Sequence, residues 1–225
     1  MLTRNIILLA LNVFGNKAQE ETMLQNRLYF LDKLFANASG IDLNFQHNSF
    51  YCGPYSEKIL NDITKLVNYR LVREEISGES YRGVRSEFLS SFYELTSAAE
   101  QALRWIEEQH KEEAEKIKEL ARIIDETVEQ MNDKNLSVAA TTHWVLKATG
   151  EEMTAQSVAR EAKRFCSNIT DAEIDRVLEF LRKIGLSEPS KDKSIGLANR
   201  GQREVRPPED CSVGLSDDLF PSRSH

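Results

Sequence analysis

The stretch that most constrains this chain is the turn Phe50-Tyr51-Cys52-Gly53-Pro54-Tyr55-Ser56 and the helix it launches. Gly53 can take the positive φ that a sharp turn needs, Pro54 fixes its own φ, and Ser56 can cap the helix that follows. From Glu57 onward, Ile59, Leu60, Ile63, Leu66 and Val67 recur at helical spacing and form one apolar stripe. Lys58, Asn61, Asp62 and Lys65 are left for the opposite face.

Beyond that helix, residues 70–76 read as a strand, Ser77-Gly78-Glu79-Ser80 as a turn, and 81–88 as the returning strand. The run Tyr93-Glu94-Leu95-Thr96 then leads out of the wing into the next helix, with Ser97 and Glu100 at capping-box spacing and Thr96 as the other candidate cap. Together these pieces predict the second half of a winged helix. Residues 37–50, with Ile41, Leu43 and Phe45 alternating, read as a loop and short strand, longer than a standard helix-turn-helix turn.

The remaining elements are helical. Residues 3–14 form a first helix apolar on most sides, and 22–35 a second, with Leu24, Leu28, Leu31 and Leu34 inside and Gln25, Arg27, Asp32 and Lys33 outside. A long helix is expected over 97–131. Its seam of Leu103, Ile106, Ala114, Ile117, Ala121, Ile124, Val128 and Met131 suits a bridging or dimerising role, with only His110 and charged stems at its middle. Helices near 137–148, 154–165 and 171–184 follow, the last opened by Thr170 and Glu173 at capping-box spacing. The expected class is mainly α with a small β wing: a winged-helix-like domain at 1–96, a connecting or dimerisation helix at 97–131, a helical unit at 132–187 and a loose Ser/Pro/Gly-rich tail at 188–225.

Composition bounds the function. A formal net charge of -7 disfavours sequence-independent binding to nucleic acid or anionic lipid, so any DNA contact must be local. Even residues 1–95 carry ten Lys and Arg against eleven Asp and Glu. The three cysteines, Cys52, Cys166 and Cys211, are odd in number and lack metal-ligand spacing with His47, His110, His143 or His225, which reads as free thiols in a reducing cytoplasm. The apolar N-terminal run is short and interrupted by Asn12, so a buried helix is expected rather than a signal peptide or membrane span. No Gly-rich phosphate loop, His-Glu-x-x-His, Gly-x-Ser-x-Gly or Cys-x-x-Cys occurs, so neither catalysis, cofactor nor metal is expected. His47 reads as a loop histidine, and His143, beside Trp144, as half-buried on a helix.

The chain resembles the YwgA-like family of small bacterial and archaeal proteins, and more distantly the Panacea domain seen in antitoxins. The resemblance is carried by Leu24-Gln25-Asn26-Arg27-Leu28-Tyr29, by the Gly53-Pro54-Tyr55-Ser56 turn, by Tyr93-Glu94-Leu95-Thr96 and by the start of the 171–184 helix. It implies a winged-helix-related interaction module linked to antitoxin or phage-defence systems.

Two functions follow as expectations. The leading one is a non-catalytic regulator or adaptor that binds DNA locally through Lys58, Asn61 and Lys65 on the 56–68 helix and Arg70, Arg73, Arg82 and Arg85 around the wing. The alternative is a module that binds a protein, such as a toxin or defence component, and no nucleic acid. In that reading Tyr51, Gly53, Pro54, Tyr55 and Ser56 either shape a partner groove or close the core around the turn.

Overall fold

The computed structural model describes residues 1–15, 19–50, 53–77, 80–81, 84–85, 90–129 and 131–186. Among these, the chain is mainly helical, with eight helices and a small three-stranded antiparallel sheet. The tail expected at 188–225 lies outside the described residues. No helix among the described residues is long and apolar enough to cross a membrane.

Helix α1 (Thr3–Val13) is apolar around most of its circumference, and Ile6 through Leu11 are all buried between other helices. Helix α2 (Glu21–Ser39) runs longer than its apolar stripe suggests, and its polar residues are not all outside: Gln25, Asn26 and Asp32 are each 2% exposed. Their burial follows from packing on several sides, against β3 (Gly53–Tyr55), α5 (Lys111–Val128) and α6 (Asp133–Thr149). Strand β2 (Asn48–Phe50) pairs with β3 to make a separate hairpin between α2 and α3 (Glu57–Asn68). Helix α3 forms as its periodicity predicts, capped by Ser56, whose Oγ accepts from the Ile59 N–H at 3.1 Å. Ile59, Ile63 and Leu66 are buried, each contributing about 1.5–3 kcal/mol relative to exposure.

The sheet differs from expectation in its partners. Strand β4 (Val72–Ser77) begins after Arg70, which sits at φ +59° in the turn leaving α3. Its partner is not 81–88 but β7 (Ser90–Leu95), in register Val72 with Leu95 and Ser77 with Ser90. Tyr81 belongs instead to β5 (Ser80–Tyr81), which pairs with β6 (Val84–Arg85) in a hairpin of its own. A short β1 (Gln19–Glu20) adds to the other side of β7, giving the order β1-β7-β4. The buried Tyr93 explains the choice: pairing through 90–95 turns it toward the core.

The helix expected over 97–131 is two helices, α4 (Ala99–Gln109) and α5, broken at His110 with φ -133° and ψ 44°. Neither Ser97 nor Thr96 caps α4; Thr96 Oγ1 donates instead to the Arg70 carbonyl at 2.6 Å. The break lets α5 lie against α1 and α2, so Ala114, Ile117, Ala121, Ile124 and Val128 are buried within the chain itself.

Helix α6 is the hub of the C-terminal half. Val138, Ala139, Ala140, Thr141, Thr142 and His143 are buried in succession because α2, β3, α7 (Ala155–Phe165) and α8 (Asp171–Lys183) pack around it. Small residues at consecutive positions permit that approach from several sides. Helix α8 opens with the Thr170/Glu173 capping box, and those bonds hold the Glu173 carboxyl down at about 2. The C-terminal helices share one apolar cluster with α1–α3 rather than forming a core apart.

Candidate functional site

A cleft of about 460 Å³ opens between the first turn of α1, the 41–44 loop, α3 and the start of α5. Its floor is apolar, from Ile6, Phe35, Leu43 and Ile117, and Leu2 and Ile41 among its lining are 56% and 60% exposed. Arg4, Lys58, Asp62 and Lys65 line it, with Asp42 and Glu113. Lys58 and Lys65 lie seven residues apart on α3 and so share a face, and that face forms one wall of the cleft.

The loop is held in place by a buried carboxylate. Asp32 Oδ1 accepts the Leu43 N–H at 3.0 Å, and its other oxygen pairs with Lys33 at 2.8 Å. Burial pushes the Asp32 carboxyl up, and Lys33 pulls it back toward ionisation. Across the cleft, Lys58 Nζ donates to the Asn44 carbonyl at 2.6 Å, while Lys65 pairs with Asp62 at 2.6 Å. Glu113 sits 3.5 Å from the Met1 amino group.

The described residues among those expected to touch DNA are divided between the cleft and positions outside its lining. Asn61 is exposed on α3 with Glu57, Thr64, Lys65 and Asn68, and Lys65 is the one cation among them. Lys58 and Lys65 both line the cleft, and Lys65 is held by Asp62 with about half of its side chain exposed. Arg70 is exposed in the turn, and Arg73 pairs with Glu94 directly across the β4–β7 ladder. Arg82 and the Arg85 side chain lie outside the described residues. The described sheet is rich in carboxylates: Glu74, Glu75 and Glu94 accompany Arg73, and Glu21 approaches the Tyr93 hydroxyl at 3.4 Å.

The turn residues meet the α2 motif in the interior. Ser56 is wholly buried, its N–H donating to Gln25 Oε1 at 3.1 Å and its carbonyl accepting from Gln25 Nε2 at 3.2 Å. Ser56 Oγ also donates to the Phe45 carbonyl. Gly53 has φ +126°, and a Cβ there would lie 2.7 Å from Asn26 Oδ1, so both conformation and space demand glycine. Asn26 Nδ2 donates in turn to Ser137 Oγ on α6 at 2.9 Å. Pro54 is buried; Tyr55 is half-buried, with its hydroxyl 3.5 Å from Glu21; Tyr51 lies outside the described residues. Gly53, Pro54 and Ser56 therefore close the core.

The histidines belong to that interior too. His143, expected to be half-buried, is 3% exposed, with Nδ1 2.6 Å from the Tyr29 hydroxyl. His47 stacks edge-on against Tyr29 and Phe45 with both ring nitrogens enclosed. Burial lowers both imidazoles to about 3, so they stay neutral at ordinary pH. Cys52 lies outside the described residues, and Cys166 is a buried free thiol. Sequence reasoning missed Arg4, Ile41 and Asp42 as site residues. Their one sequence signal was an isolated isoleucine in a polar loop, which alternation with Leu43 and Phe45 disguised as a strand.

No family model matches the chain, and no curated protein matches it.

Proposed function

We propose that this chain is a non-catalytic protein-interaction module on a winged-helix-like frame, with the α1–α3 cleft as its docking site for a peptide segment of a partner. The order α1, β1, α2, α3, β4, β7, with the first strand on the outer side of the last, supports the winged-helix-like reading. The observation that carries the function is that both lysines of α3 line a cleft with exposed apolar side chains and are engaged there, Lys58 by the Asn44 carbonyl and Lys65 by Asp62. Phosphate contacts need cations free to meet a polyanion. A peptide site needs apolar anchors with a few polar groups to orient them. The partner class implied by the family resemblance is a toxin or defence component.

The test is capture from host lysate by the tagged full chain, with and without nuclease, compared with Ile41→Glu and with Arg73→Glu/Arg82→Glu. The expected result is a stoichiometric protein that survives nuclease and moderate salt and is lost with Ile41→Glu. Enrichment of particular DNA segments, released steeply by salt and lost with the double arginine variant, would overturn the proposal in favour of a DNA-binding regulator.

A further inference from the structure

The cleft has an unmet electrostatic demand. Arg4 is half-exposed and makes no ion pair among the described residues, and Lys58 meets only an uncharged carbonyl. Of the opposing acids, Asp62 is occupied by Lys65 and Glu113 by the Met1 amino group, leaving Asp42. A ligand with two adjacent carboxylates flanked by large apolar side chains would satisfy both cations and cover Leu2 and Ile41.

The chain itself contains such a segment: Leu215-Ser216-Asp217-Asp218-Leu219-Phe220. It holds the one aromatic residue after Leu186 and an acidic pair between leucines. The distance suits it. Lys183, at the end of α8, shares a small surface depression with Thr127 and Met131 at the far end of α5, whereas the cleft uses Glu113 and Ile117 near its start. At the helical rise this separation is about 15–20 Å. The stretch from Leu186 to Leu215 is long enough to cover that separation, since a chain can span up to about 3.3–3.6 Å per residue.

We propose that 215–220 is a ligand of this cleft in cis, which an outside partner must displace. The proposal rests on the reading of the cleft as a peptide site. Its test is hydrogen exchange by mass spectrometry on the full chain. In the wild type, 215–220 should exchange at least about tenfold more slowly than an unstructured peptide. Protection should be lost in Asp217→Lys/Asp218→Lys and in Arg4→Glu, return when the two are combined, and persist on dilution. Wild-type exchange at the unstructured rate overturns the proposal, as does protection indifferent to Arg4→Glu; protection that vanishes on dilution overturns it in favour of exchange between copies. A synthetic 212–222 peptide added to the Asp217→Lys/Asp218→Lys chain separates the two readings. If it slows exchange at 41–44 while the wild-type segment is unprotected, the cis ligand fails and the peptide site stands. If it protects nothing there, both fail.

Discussion

Gln25 grips Ser56 by both ends of its backbone, accepting from its N–H and donating to its carbonyl, with both residues out of water. The side chain of α2 thus replaces the pairing that a strand would otherwise supply at the entrance to α3. Replacing Gln25 with Leu leaves a buried donor and acceptor unmet. The expected loss is about 2–4 kcal/mol in urea unfolding.

Gly53 faces a neighbouring constraint. Gly53→Ala should cost about 1–3 kcal/mol from its backbone angle alone, with a further loss from the approach of Asn26 Oδ1. Gly53→Val should cost more. Adding Asn26→Ala to Gly53→Ala should restore none of the backbone term, so thermal melting of the pair should remain below wild type.

The two buried imidazoles make stability depend on pH. Their folded values near 3 lie below the ordinary 6.5, so protons bind the unfolded chain first as pH falls. Stability is therefore fully present above about pH 6.5 and declines toward pH 3, by up to about 1.4 kcal/mol per unit for each histidine. Denaturant midpoints measured from pH 7.5 to 5 should fall, and His143→Gln should flatten the slope.

Glu21 runs the other way. Half-buried beside Glu20 and Glu74, it has its carboxyl pushed up chiefly by burial, against the Tyr93 hydroxyl bond that favours the charge. A raised folded value contributes stability at low pH that is lost as pH rises through it. Glu21→Gln should raise the melting temperature at pH 7, and the gain should shrink as pH falls toward 4.

Arg27 pairs with Asp125 at 2.7 Å beside the Phe14 ring, linking α2 to α5. Asp125→Ala should cost about 2–3 kcal/mol by leaving a largely enclosed guanidinium alone. Arg27→Met with Asp125→Leu should recover most of it, as a double-mutant cycle would show.

Much of this fold was legible because its signals are local. The stripe and Ser56 cap of α3 and the Thr170/Glu173 box of α8 each lie within a few residues, where spacing alone states the geometry. The sheet was not legible in the same way. Whether 81–88 or 90–95 pairs with β4 depends on which register buries Tyr93, a contact with no local signature. The break at His110 was hidden for a similar reason: helix formers flank it, with neither proline nor glycine to mark it, and packing of α5 on α1 and α2 redirects the chain there.

The candidate site divides along the same line. That Gly53 and Ser56 define a turn follows from backbone chemistry readable in the sequence, and so does the helical face shared by Lys58 and Lys65. Whether that face meets open solvent or a cleft is not a property of the helix. It was decided by Asp32 holding the 41–44 loop and by α1 and α5 arriving from distant parts of the chain. Helical periodicity places residues on a face, but only long-range packing determines what that face confronts.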